Sequence, residues 1–314
     1  MIKSDDSSGE SVFRFAHHAM GTTFELLIAG KNETYGRQVS QAVFSEINRI
    51  ENLFSRFNPG SDIGQINSLK PGQSLLIGVE TYECLETASS IRSQTRGAFD
   101  INIGSLVKYK EGNVLKHRKL KTKRMGLIDL SRTPQGYQVK IRPGDTKAQA
   151  EHVHLDLGGI GKGYALDKTL EILSDWDIDH ALVQGGTSSA LAVGIPPDSA
   201  SKTKGWPVGI GGTWECAQSP KEFFLKDRAL SGSGTEVKGK HIIDPRTGKP
   251  AKGHLAAWVS HPSAASSDAL STAFMVMSTK EVKAFYSSHP EVWGLVIIDS
   301  QTCEIFNKDA ALYR

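Results

Sequence analysis

The stretch His154–Asp167, HLDLGGIGKGYALD, sets Gly158, Gly159, Gly161 and Gly163 around one lysine, Lys162. An apolar alternation precedes the cluster and a helical pattern follows it. Glycines let a backbone bend sharply and come close to a ligand. Free amides at a helix start, with a lysine beside them, suit phosphate oxygens. A tight strand-to-helix turn carrying a surface lysine would use the same residues, and the stretch alone leaves both readings open. Two familiar cradles are excluded. A P-loop needs Ser or Thr after its lysine, and here Gly163 follows Lys162. A dinucleotide fingerprint counted from Gly159 and Gly161 needs a third glycine where Tyr164 stands.

Three further groups carry candidate chemistry. In SDALST, Asp268 and Thr272 are four residues apart and share one helix face. A carboxylate and a hydroxyl are hard oxygen donors that suit Mg²⁺ when phosphates complete its shell. Taken alone, the pair reads as an aspartate offsetting a helix dipole and a threonine bonded to its own backbone. In HVHLD, His152, His154 and Asp156 alternate, so a strand would point them to one side. Edge histidines are the plainer reading than a metal site, and Asp156, just before the glycine turn, is the more informative residue. In LSGSGTEVKGKHIIDPRTGKP, His241 has the near-neutral pKa a general base needs. SGSG is not a nucleophile elbow, because Ser231 takes the first glycine position.

The elements that must position these groups follow from periodicity. TFELLIAG reads as a strand. Val39, Val43, Ile47, Ile50 and Phe54 mark an amphipathic helix. Tyr82, Leu85, Ala88 and Ile91 mark another, closed by Gly97. GYQVKIRPG reads as an edge hairpin strand and HVHLDL as a strand. A helix after Lys162 uses Leu166, Leu170 and Leu173. HALVQGG, LAVGI, WPVGIGG, EFFLKD, LAAWVSH and WGLVIID are short strands, and SSDALSTAFMVM is a buried helix with a Ser/Asp start. Strands come in groups rather than in alternation with helices, which predicts an α+β fold.

The chain has 314 residues, 39% hydrophobic and 23% charged, enough for a sizeable core. We expect a disordered tail over 1–11 and a single domain over 12–314. Net charge is +3, so nothing in the whole-chain balance points to nucleic acid or a membrane. The basic run at 108–124 reads as a solvated face, with Tyr109 its sole aromatic. No window approaches a membrane span. Cys84, Cys216 and Cys303 are sparse and far apart, which fits a reducing compartment. With no signal peptide visible, the expectation is cytoplasmic as given, or periplasmic or membrane-anchored if the N-terminus is trimmed.

Five ordered stretches resemble the FAD:protein FMN transferase (ApbE) family: AMGTTF, NLFSRFNPGSDIGQIN, GAFDINIGSLV, LDLGGIGKGYALD, and HIIDPRTGKP followed by SDALSTAFMVM. The likeness runs from about residue 16 to the end. It implies an ApbE-like α+β fold of mostly antiparallel strands with flanking helices and a central active-site cleft. It implies Mg²⁺-dependent transfer of FMN from FAD to a Thr or Ser hydroxyl of an acceptor protein, releasing AMP. Some members hydrolyse FAD instead, so a pyrophosphatase is the alternative, and a non-catalytic flavin binder is a third. Carried over by motif, Met20, Phe57, Ala98, Phe99, Asp100, Asp156 and Lys162 would contact FAD. Asp268, Thr272 and the carbonyl of Gly161 would bind Mg²⁺. His241 and Asp268 would serve catalysis. The family usually has Tyr at Phe57, so a stacking face is kept and a hydroxyl is lost. The segment between SGSG and HIIDP is also shorter than usual, and Thr187 stands where many members have Asp.

Overall fold

A computed structural model describes residues 11–104, 106, 128–143, 153–196, 205–212, 216, 223–235 and 242–307. The tail over 1–10, the basic run, His152 and His241 lie outside these residues.

The first half of the chain runs β1 (Phe13–Ala19), β2 (Thr22–Ile28), α1 (Glu33–Phe54), α2 (Asp62–Ile66), β3 (Ser74–Ile77), α3 (Val79–Gln94), β4 (Ile128–Thr133) and β5 (Gly136–Ile141). Next come α4 (Gly161–Asp175), β6 (Ala181–Gly185), β7 (Ser189–Val193), β8 (Trp206–Val208), β9 (Phe223–Leu225) and β10 (Arg228–Gly234). The chain ends with β11 (Ile243–Asp244), β12 (Lys249–Pro250), β13 (Ala256–His261), α5 (Ala264–Val276), α6 (Thr279–Ser288), β14 (Trp293–Ile297) and β15 (Cys303–Phe306). Eight strands form one sheet in the order β1-β2-β6-β7-β10-β13-β14-β15, antiparallel at each pairing. The expected α+β class holds.

Alternation divides the sheet's two faces. Phe24, Leu26, Ile28, Val183 and Leu191 turn to one side, where Val39, Val43 and Ile47 of α1 and Leu166 and Leu173 of α4 cover them. Leu182, Ala192 and Leu230 turn to the other, with Trp206, Val208, Phe223 and Leu225 of the β8–β9 ribbon. Helix α1 starts where Asn32 accepts from Tyr35 N, a side-chain N-cap. Helix α5 is built of small and apolar residues around Asp268 and is buried almost all round.

Three expectations change. The segment 153–157 belongs to no strand. Its backbone is held by side chains and by the 101–104 loop: Asn102 Oδ1 accepts from His154 N, Asn67 brackets Leu155 N and O, and Gly104 N and Ile101 O bond to His154 O and Asp156 N. Strand β5 is central, between β3 and β4, not an edge. The small residues of SGSG belong to β10, an inner strand between β7 and β13. A Cβ on Gly232 would lie 2.6 Å from Trp258 Nε1, so the glycine makes room for an indole. Cys216 and Cys303 form a disulfide and Cys84 is free and buried. Disulfides persist in oxidising compartments, so this bond weighs against the reducing one.

Candidate functional site

The glycine turn and SDALST meet. Lys162 Nζ lies 3.2 Å from Asp268 Oδ2, and Gly163 N donates to the same oxygen at 3.2 Å. Asp268 is 3% exposed. It is too far into α5 to act on that helix's own free amides, and it reaches across to α4 instead. Thr272 Oγ1 bonds back to Asp268 O at 3.3 Å, as expected for a mid-helix threonine, and also lies 3.3 Å from Ser233 Oγ of β10. A Cβ on Gly159 would lie 3.3 Å from both Thr272 Oγ1 and Phe99 Cε2. The turn is therefore threaded between two candidate residues with no room to spare.

Gly163 explains why the helices come so close. A Cβ there would lie 2.1 Å from Ala264 O. The two backbones touch at this point, and only glycine fits.

The GAFD segment follows α3. Helix α3 ends at Gln94, and Gly97 takes the left-handed region at φ 78°, where glycine carries no Cβ penalty. Thr95 Oγ1 then accepts from Phe99 N. Ala98 and Phe99 are buried. Asp100 turns inward: its carboxylate accepts from Arg92 Nε at 3.0 Å and from Asn102 N at 2.8 Å. Asp156 N donates to Ile101 O, tying this loop to the start of the glycine turn.

Met20 and Gly21 form the two-residue tip of the β1–β2 hairpin, at φ 51° and 68°. Both central residues of such a turn need positive φ. The left-handed region costs a non-glycine residue roughly 1–2 kcal/mol, and Glu51 of α1 helps hold it by accepting from Met20 N at 2.7 Å. Past the end of α1, Arg56 pairs with Asp156 at 3.3 Å and stacks its guanidinium 4.7 Å from the Phe57 ring centroid. Phe57 is 81% exposed. An exposed aromatic face braced by a mostly buried cation is a platform for a flat ring.

Lys162, Asp268, Thr272, Phe99, Asp156 and Phe57 thus form one connected patch through the glycine turn, Ile101 and Arg56, whereas Met20 is tied to Glu51 and the carboxylate of Asp100 is turned to Arg92 and Asn102. The sequence reasoning missed Glu51, Arg56, Thr95 and Asn102. Glu51, Arg56 and Asn102 each reach a partner far away in sequence, Met20, Asp156 and His154, and no local pattern marks such a bond; Thr95 acts on Phe99, four residues on. Two cavities of about 300 and 380 Å³ lie elsewhere, along α3, lined by residues such as Glu83, Glu86, Lys168 and His261. Tyr164 and Lys168 face the second of them from the side of α4 opposite Lys162. There Glu83 accepts from Tyr164 and pairs with Lys168. Burial opposes the Glu83 charge, but these two donors outweigh it and hold its carboxyl below the usual range.

As a donor set, Asp268, Thr272 and the Gly161 carbonyl offer a carboxylate, a hydroxyl and a backbone oxygen. All are hard oxygen ligands, suited to Mg²⁺ bound with phosphate oxygens and water. The buried Asp268 carboxylate has a cation and an amide as its partners, which fits a place built for positive charge. No cluster of three or more His, Cys, Asp or Glu occurs among the described residues, so an ion here would depend on phosphate to complete its shell.

A model of the ApbE family matches residues 20–296. The FAD:protein FMN transferase of Chlamydia pneumoniae is 26% identical over 309 residues, covering 91% of this chain and 90% of the relative. That of Treponema pallidum is 27% identical over 278 residues, covering 82% and 76%. Among solved structures, the ApbE protein of Thermotoga maritima superposes with a TM-score of 0.79 at 24% identity, across 97% of this chain and 100% of that one. The apo flavinyl transferase ApbE of Pseudomonas stutzeri gives 0.78 at 19% identity, across 97% and 98%. The structural likenesses speak for the fold. The family model, matched over most of the sequence, speaks for descent: the chain belongs to the ApbE family.

Proposed function

We propose that this chain is a Mg²⁺-dependent FAD:protein FMN transferase. The observation that carries the reading is the meeting of Lys162 with Asp268 at 3.2 Å, beside the glycine turn. It brings a cation suited to phosphate and a carboxylate suited to a metal ion to one point. The names of the curated relatives support the same activity.

On this reading Lys162 and the turn's amides hold the FAD pyrophosphate. Phe57, braced by Arg56, offers a stacking face to a ring of FAD, and Met20, Ala98, Phe99 and Asp156 would supply further contacts to it. Asp268, Thr272 and the Gly161 carbonyl would hold Mg²⁺, which when bound neutralises charge developing on the phosphates. The acceptor's Thr or Ser oxygen bonds to the phosphorus of the FMN half. The bond from that phosphorus to the bridging oxygen breaks, and AMP leaves with the bond's electron pair. His241 accepts the hydroxyl proton. The acceptor site is a Thr or Ser of a partner protein. The Cys216–Cys303 disulfide supports work in an oxidising compartment, and no helix among the described residues is long and apolar enough to cross a membrane.

The test is incubation of the purified chain with FAD, Mg²⁺ and a Thr-containing acceptor protein from the family. The acceptor should gain the mass of FMN less water, with AMP released. FMN and AMP formed without acceptor, and no adduct with it, would replace the transferase by a pyrophosphatase. FAD bound but left intact in both conditions would leave a flavin binder.

A further inference from the structure

We propose that Asp167, on helix α4, is a positioning residue for the metal and phosphate corner, and this rests on the function proposed above. Asp167 Oδ1 accepts from Ala264 N at 2.7 Å. Its Oδ2 accepts from Ala265 N at 2.9 Å and from the Ser263 hydroxyl at 2.8 Å. Those amides open helix α5, the helix that carries Asp268 and Thr272.

Helix α5 already has a cap of its own, since Ser263 Oγ accepts from Ser266 N. A second cap taken from another helix is costly by comparison, because it takes a carboxylate partly out of water. Burial pushes the Asp167 carboxyl up, against the pull of Ala265 N, Ala264 N and the Ser263 hydroxyl. A buried charge needs its hydrogen bonds filled to be tolerated, and here three donors fill them.

The placement says what this burial achieves. Helices α4 and α5 are joined twice. At the start of α4, Lys162 and Gly163 N reach Asp268. About one turn further along α4, Asp167 grips the first residues of α5. Between the two joints, Gly163 and Ala264 meet at backbone distance. The two joints and the two helix backbones close a ring. In such a ring the spacing of Lys162 and Gly161 from Asp268 and Thr272 follows from the grip of Asp167. Asp167 touches neither phosphate nor ion in this arrangement; it acts through α5. Residues that orient metal ligands from behind typically change metal affinity 10- to 100-fold when removed.

The test uses the full chain with FAD and Mn²⁺ as the metal probe, reading free Mn²⁺ by its electron paramagnetic resonance signal. Folding is checked by circular dichroism. D268A tests the metal reading itself and should abolish FAD-dependent Mn²⁺ binding. D167A should weaken binding about tenfold or more while the protein stays folded. D167N keeps one accepting oxygen and should fall between D167A and wild type. A folded D167A that binds Mn²⁺ within about twofold of wild type, while D268A has lost it, overturns the positioning role and leaves the metal reading standing. Its only effect would then be a lower melting temperature, as for a simple cap. Binding unchanged in D268A overturns the metal reading and the positioning role with it. If D167A does not fold, D167N decides: a Kd within about twofold of wild type overturns the proposal.

Discussion

Replacing Gly163 by Ala tests the geometry on which the corner depends. The new Cβ would meet Ala264 O at 2.1 Å and the Ala264 carbonyl carbon at 2.5 Å, where ordinary contact begins near 3.4 Å. Both obstacles are backbone, so no side chain can swing aside. The helices must part by about 1.3 Å at this point, the difference between those two distances. The bond from Gly163 N to Asp268, now 3.2 Å, then breaks, and Lys162 loses its grip on the same carboxylate. Alanine favours the helix by about 1 kcal/mol. Overpacking costs about 1–3 kcal/mol, and a hydrogen bond to a charged group is worth about 1.5–3 kcal/mol. The net expectation is a loss of about 1.5–5 kcal/mol, no more than the usual stability of about 5–15 kcal/mol, so the variant folds. Urea denaturation reads the loss. Turnover should fall further than stability suggests, because a misplacement near 1 Å can cost about 100-fold. A G163A protein as stable as wild type, or more so, would refute the backbone contact and show that helix propensity governs the site.

R56A should raise the KM for FAD about tenfold with a smaller change in kcat, because it removes the brace of Phe57 and the partner of Asp156 together; an unchanged KM would refute the platform. Acidification should destabilise the protein below about pH 6.5. Burial holds His254 and His261 below their usual pKa, so between the folded and unfolded values the unfolded chain binds more protons and stability falls with pH, by at most about 1.4 kcal/mol per pH unit for each histidine. Asp167, pushed up by burial, works the other way, and the carboxylates held low, such as Glu83 and Glu281, lose their contribution only below about pH 4.5. Denaturation at about pH 7.5 and 5.5 checks this; equal stabilities, or no flattening in H254Q/H261Q, would count against it. Unfolded without reductant, the chain should offer Cys84 as its one free thiol to a thiol reagent; three reactive thiols would refute the disulfide and the oxidising compartment.

The sequence by itself determined the elements whose signal is local. Val39, Val43, Ile47, Ile50 and Phe54 recur at helical spacing and are all buried in α1. Most short apolar runs became strands of the central sheet, because alternation reports which side of a strand meets a core. The ordered motifs went further and pointed to the family. Tertiary structure decided whether those motifs form one site. No periodicity says that Lys162 will meet Asp268, or that Asp167 will reach Ala264, because helix crossing is set by how closely two backbones approach. That approach is permitted by the missing side chain of Gly163. SGSG carries no periodic signal, yet its small residues are a half-buried inner strand trimmed to fit Trp258. Cys216 and Cys303, far apart in sequence, were joined only when the fold brought β15 to the segment before β9. A sequence records which face of an element is apolar; which faces touch, and how closely, depends on all the elements packed at once.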